Sequence, residues 1–242
     1  MKRQVLLLSC EHGGTRVPAS YRHLFRSRAA REALGSHRGS DLGALALARS
    51  LARSLGAPLH LSTVTRLLVD LNRSLGHRRL YSEFSRTLGQ AEREALLDRY
   101  YFPYRVGIES WIEDQVRRGH QVVHIGIHSF ASDLGGLARN ADLGLLYDPS
   151  RTSERVFCQT WQAALGALDP LLRVRRNYPY LGKADGLTTH LRASFASRRY
   201  LGIELEANQA LLATTQGRRR ATKSTRETLQ SVSEYFETIE WT

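Results

Sequence analysis

The chain has 242 residues, 42% of them hydrophobic, which is enough to bury a sizeable core and too apolar for a disordered or fibrous protein. Its two cysteines, Cys10 and Cys158, form neither a CxxC pair nor a disulfide framework. Lysine and arginine outnumber aspartate and glutamate by 35 to 23, for a formal charge of +12; this favours an anionic partner, but the basic residues are scattered and no nucleic-acid-binding signature accompanies them, so nucleic acid is disfavoured.

Gln4 to Cys10 is a nearly continuous apolar run and reads as a strand buried on both faces. It is too short for a signal peptide, and no run approaches the roughly 20 residues that span a bilayer. A cytoplasmic protein without a membrane partner is expected. From Asp41 the apolar spacing predicts an amphipathic helix ending at Gly56. Strands are expected around Pro58 to Val64 and Arg66 to Asp70. Ala91 to Gly119 reads as helix interrupted at Pro103, giving two helices or a kink. Gln121 to Ile127 is a second buried strand and opens into His128-Ser129-Phe130. Then come a strand near Leu143 to Tyr147, a helix from Ser153 to Leu168, a strand near Leu172 to Val174, and a polar loop from Asn177 to Thr189. A strand at Tyr200 to Glu206 and a helix from Ser224 to Phe236 close the chain. This alternation predicts one domain over residues 1–242, an α/β/α sandwich with a central mixed, mostly parallel sheet.

In open α/β sheets the ligand site lies beyond the carboxyl ends of the strands, and four polar clusters fall there. His12 follows the first strand and His128 the Gln121 strand. Two imidazoles with an oxygen ligand and an open position would make a catalytic zinc site. Asp41 is the expected carboxylate and Glu11 the alternative; the structural reading leaves two loop histidines and makes Asp41 a helix N-cap. Glu204 and Glu206 alternate with Ile203 and Leu205, so both carboxylates share one face of a strand that reads as buried. Such burial costs several kcal/mol unless a partner, proton or metal relieves it, which suits a general acid/base; salt bridges to the many arginines are the alternative. Asn72 and Arg73 suit the gripping of a carboxylate, and Arg66 the stabilising of an oxyanion. The turn-rich stretches carrying Asn177, Tyr180, Thr189 and His190 read as a substrate loop, or as a helix start at Thr188 or Thr189.

Together and in this order, these clusters resemble the N-formylglutamate amidohydrolases, zinc-dependent deformylases related more distantly to carboxypeptidase-type and aspartoacylase-type zinc hydrolases. The resemblance runs from Ser9–Gly14 with Pro18, through Asp41, Arg66–Arg73 and His128–Phe130, to Asn177–Tyr180, Gly186–His190 and Glu204–Gln209. It implies one Zn2+, or another divalent ion, on His12, Asp41 and His128. It further implies Asn72 and Arg73 on the substrate carboxylate, Arg66 on the oxyanion, and Glu206 rather than Glu204 acting on water. The reaction it implies is hydrolysis of the N-formyl, or another N-acyl, amide of a small acidic amino acid. Two features depart from the pattern. The first motif lacks the HxxE spacing of the more distant relatives, and Arg105 follows Pro103-Tyr104 where the family tends to carry histidine. The alternatives are a zinc carboxypeptidase or amidase acting on peptides or cell-wall fragments, and a non-enzymatic anion- or nucleic-acid-binding protein on the same fold.

Overall fold

A computed structural model describes residues 3–238. Strand β1 (Gln4–Cys10) leads through a 3-10 segment, Ala19–Phe25, and α1 (Arg28–Leu34) to α2 (Ala44–Leu55) and β2 (Leu59–Leu61). After a long irregular stretch, α3 (Gln90–Leu96) passes through a π-helical turn, Leu97–Tyr101, into α4 (Phe102–Arg117). β3 (Gln121–Phe130) is followed by a small hairpin, β4 (Asp133–Leu134) and β5 (Leu137–Ala138), then β6 (Leu143–Leu146), α5 (Thr152–Leu168) and β7 (Val174–Arg176). α6 (Leu187–Ser194), β8 (Tyr200–Asn208), α7 (Gln209–Ala213) and α8 (Thr215–Glu237) complete the order.

The main sheet has six strands in the order β2-β1-β3-β8-β6-β7. β2, β1, β3 and β8 are parallel neighbours, whereas β6 runs antiparallel to β8 and parallel to β7. All ten residues of β3 are buried, as expected of a central parallel strand covered on both faces. On one face Leu8, Ile125 and Ile203 pack with Leu47 and Leu51 of α2, Trp161 of α5 and Leu229 of α8. On the other, Leu7, Val122 and Tyr200 meet Ile108 and Ile112 of α4 and Leu187 and Leu191 of α6. The result is the mixed, mostly parallel α/β/α arrangement, with β1 and β3 paired from Gln4↔Gln121 to Ser9↔Gly126. No described helix is long and apolar enough to cross a membrane.

Several element readings are corrected. The strand at Pro58 to Val64 shortens to Leu59–Leu61, and Arg66 to Asp70 is a turn closed by Leu68 N–H on Thr65 O at 3.0 Å. Its apolar residues are buried without a ladder, because Leu67 and Leu68 pack on Tyr21 and Phe25 while Val69 packs on Leu80 and Tyr101. The stretch is divided into two helices as expected, but at the π turn Leu97–Tyr101; Pro103 follows in the first turn of α4, where its missing donor is tolerated. The last helix starts at Thr215 rather than Ser224, with Thr214 Oγ1 accepting Gly217 N–H at 3.0 Å; the polar run through Arg218–Arg220 obscured the helical period. Asp41 is not an N-cap. α2 begins at Ala44 behind Gly43, whose φ of 84° is one that glycine supplies without strain, so the Asp41 carboxylate is free for other work.

Candidate active site

Parallel register builds the site. His128 on β3 is the register partner of Glu206 on β8, and Gly126 that of Glu204. Side chains alternate along a strand, so His128, Glu204 and Glu206 rise from one face at the carboxyl edge of the sheet. His12 lies just past the end of β1, and its carbonyl accepts the Asp41 N–H at 2.9 Å, which ties the loop before α2 to the same edge.

Asp41 Oδ2 lies 2.9 Å from His128 Nδ1 and 3.4 Å from His12 Nδ1. The opposite ring nitrogens each face a second carboxylate: His12 Nε2 is 2.7 Å from Asp70 Oδ1, and His128 Nε2 is 3.2 Å from Glu11 Oε2. Arg66 spans the two aspartates. Its Nε and Nη2 donate to Asp70 Oδ2 at 3.2 and 2.8 Å, and its Nη1 to Asp41 Oδ1 at 3.3 Å. Tyr104 donates to Glu11 Oε1 at 3.1 Å. Burial alone would drive the carboxylates toward neutrality and the imidazoles toward deprotonation. The close pairing reverses both trends: Glu11 is held at about 2 by its close charge contact with the His128 imidazole, and His12 and His128 are shifted upward.

These groups suit a cation. The His12, Asp41 and His128 ligand atoms lie within 4.8 Å of one another. Around a tetrahedral zinc with bonds of about 2.0–2.1 Å, neighbouring ligand atoms stand about 3.3 Å apart, and the two histidine-to-Asp41 separations bracket that value. Glu11, Asp41, Asp70, Glu204 and Glu206 also bring five carboxylates against two guanidiniums, Arg66 and Arg73, and two imidazoles. Asp70 and Glu11 stand where carboxylates would orient the two imidazoles from behind if these held a metal. The sequence reading passed over Asp70, which lies 58 residues from His12, and ranked Glu11 only as a substitute ligand.

The two strand glutamates differ. Glu204 Oε1 takes hydrogen bonds from Asn72 Nδ2 at 3.5 Å and Thr188 Oγ1 at 3.3 Å. Glu206 Oε2 is buried with no hydrogen-bond partner among the described residues. Burial, only partly offset by His128, and the negative charges of Asp41 and Glu204 push Glu206 up to about 8. Gly144 on β6 faces Glu206. A Cβ there would run into the Tyr178 carbonyl, so glycine lets the loop after β7 lie against the glutamate.

A cavity of about 250 Å³ opens over these groups. It brings together His12, Asp41, Arg66, Asn72, Arg73, His128, Tyr180, Glu204 and Glu206, all singled out in the sequence, and adds Arg139. Arg73 donates from Nη1 to Asp185 O at 2.5 Å, while its Nε is buried and has no hydrogen-bond partner among the described residues. Three expected substrate contacts lie outside the cavity. Asn177 Oδ1 accepts the N–H groups of Tyr147 and Gly182, each at 3.0 Å, and so staples its own loop. Thr189 Oγ1 donates to Ala184 O at 2.6 Å, and His190 turns toward Glu109 of α4 at 3.4 Å. Arg105, the departure from the family pattern, is buried and donates to Leu71 O at 3.1 Å, bracing the turn that carries Asn72 and Arg73.

Fold and pocket define a class: α/β proteins with a polar cleft, lined by two histidines and a carboxylate close enough to hold a metal ion, at the carboxyl ends of a mostly parallel sheet. Within it the assignment is specific, because residues 4–213 match the family model described as N-formylglutamate amidohydrolase, and the chain belongs to that family of amide-hydrolysing enzymes. A solved structure of gene product Atu2144 from Agrobacterium tumefaciens is similar at 29% identity and a TM-score of 0.81, over 96% of this chain and 91% of that one. An N-formylglutamate amidohydrolase from Ralstonia eutropha shares the fold at 20% identity and a TM-score of 0.72, over 98% of this chain and 95% of that one. No functionally curated protein matches the sequence.

Proposed function

We propose that this protein is a zinc-dependent amidohydrolase that removes the N-formyl, or another small N-acyl, group from an acidic amino acid. The observation that carries the reading is the unpartnered Glu206 oxygen beside the His12, Asp41 and His128 set. A metal held by those three residues supplies the Lewis-acid charge that acidifies water and polarises a carbonyl. Glu206 takes the proton of the attacking water and delivers it to the leaving nitrogen, a transfer for which a carboxyl group poised near neutrality is suited. Arg66, on the cavity wall, faces the oxygen of the scissile amide as charge develops there. Arg73, which lines the cavity with Asn72 beside it, takes the α-carboxylate of the substrate. A cavity of about 250 Å³ suits an acylated amino acid better than a peptide or a cell-wall fragment.

The test is an activity screen of the zinc-loaded protein over N-formyl, N-acetyl and N-succinyl amino acids with acidic and neutral side chains, alongside metal analysis. Hydrolysis of an N-acyl acidic amino acid by protein carrying about one zinc per chain is the expected result. A protein that neither holds nor takes up zinc would instead be an anion binder on this fold.

A further inference from the structure

The outer wall of the cavity is basic, with His37, Arg79 and Arg139 lining it beyond Arg73. Its nearby carboxylate, Asp185, is already engaged: it lies 4.0 Å from Arg73 and accepts the Ser74 N–H at 3.1 Å. Arg139 is held differently. Its guanidinium carbon lies 5.0 Å from the centre of the Tyr180 ring and 5.9 Å from that of Phe130, and Nη1 donates to Tyr180 Oη at 3.1 Å. Both flanks of this contact are fixed. Asn140 N–H donates to Tyr178 Oη at 3.1 Å, and Asn177 staples the loop that carries both tyrosines. A guanidinium seated on aromatic rings keeps its in-plane donors for a planar anion and loses little freedom on binding one. Phe130 ends β3 two residues beyond His128, about 7 Å along the strand, and Arg139 lines the same cavity as His128, Phe130 and Glu206.

We infer that Arg139, seated on Tyr180 and Phe130, takes the side-chain carboxylate of the substrate and so selects acidic over neutral amino acids. The assignment rests on the proposed amidohydrolase reading, in which Arg73 already holds the α-carboxylate and the reacting amide lies at Glu206. An amino-acid side chain extending from that frame then needs its own cation. Arg79 is exposed on the same wall, and it serves as the comparison residue.

The test reads binding, so it does not depend on turnover. L-Glutamate and L-glutamine have the same size and differ by one charge, and their Kd values are measured by calorimetry for the zinc-loaded wild type, Arg139→Gln, Arg139→Lys and Arg79→Gln. Wild type is expected to prefer glutamate at least about 10-fold. Arg139→Gln should weaken glutamate by about 10- to 100-fold, the range for a hydrogen bond to a charged group, and leave glutamine within about twofold. Arg139→Lys should fall between, since it keeps the charge without the fork, and Arg79→Gln should behave as wild type. Equal losses for both ligands, a preference that survives in Arg139→Gln, or a wild type that binds both equally or binds neither would each overturn the inference. Failure of the amidohydrolase reading would show separately, as absence of turnover in the acyl amino-acid screen.

Discussion

Glu206 has a buried oxygen with no hydrogen-bond partner among the described residues, whereas Glu204 is engaged by Asn72 and Thr188 on the same strand face. A group that moves a proton must be able to shed and regain it without dismantling its surroundings, and only Glu206 meets that condition. Glu206→Gln is therefore expected to lower kcat by about two to four orders of magnitude with zinc still bound, while Glu204→Gln lowers it less. Steady-state kinetics with metal analysis separates the two, and the reverse ranking would transfer the proton role to Glu204. Asp70 acts one step further out, through its 2.7 Å contact with His12 Nε2. Asp70→Asn keeps an acceptor but removes the charge that fixes the imidazole, so zinc affinity should fall by about 10- to 100-fold. Competition with a chelator reads this directly, and an unchanged affinity would reduce Asp70 to a counter-ion for Arg66.

At the scale of elements, the site depends on register and on two loops. The buried runs of β1 and β3 were legible because a parallel strand covered on both faces must be apolar along its length, and strand-end placement picked out His12, His128 and Glu206. Spacing does not encode that His128 pairs with Glu206, nor that Leu67 to Val69, apolar as any strand, are buried by loops instead. The loop after β7 was equally opaque: Asn177 looks like a substrate contact because asparagine suits both roles, but its φ of 49° and its two accepted N–H bonds make it the loop's staple. Asn tolerates that left-handed conformation and alanine does not do so readily. Asn177→Ala should cost about 1–3 kcal/mol and raise KM as Tyr180 shifts. Asn177→Gly keeps the backbone and loses only the bonds, so it should fall between in denaturant unfolding; an Asn177→Ala protein of normal stability and raised KM would restore the direct substrate role.

Across the whole molecule, the three central strands are joined behind the site by a buried polar chain. His124 of β3 lies 2.9 Å from Ser9 Oγ of β1 through Nε2 and 2.8 Å from Tyr200 Oη of β8 through Nδ1. Neutral imidazole satisfies both contacts, one nitrogen donating and the other accepting; a charged ring there has no carboxylate in direct contact. Burial lowers His124 from 6.5 to about 4. The unfolded chain binds this proton near pH 6.5 and the folded protein only near pH 4, so its contribution to stability is complete above about 6.5, declines as the pH falls, and levels off below about 4. Between pH 7.5 and 4.5 that loss amounts to about 2–3 kcal/mol. Other groups titrate over the same range, including the paired site carboxylates, so the useful quantity is a difference. Gln has no proton to gain, and His124→Gln should be the less stable protein at pH 7.5, where its imperfect fit to Ser9 and Tyr200 dominates. It should then lose about 2–3 kcal/mol less than wild type on going to pH 4.5. Urea unfolding at the two pH values measures both terms, and parallel declines in wild type and variant would mean that His124 is charged in the folded protein and that the sheet tolerates the charge.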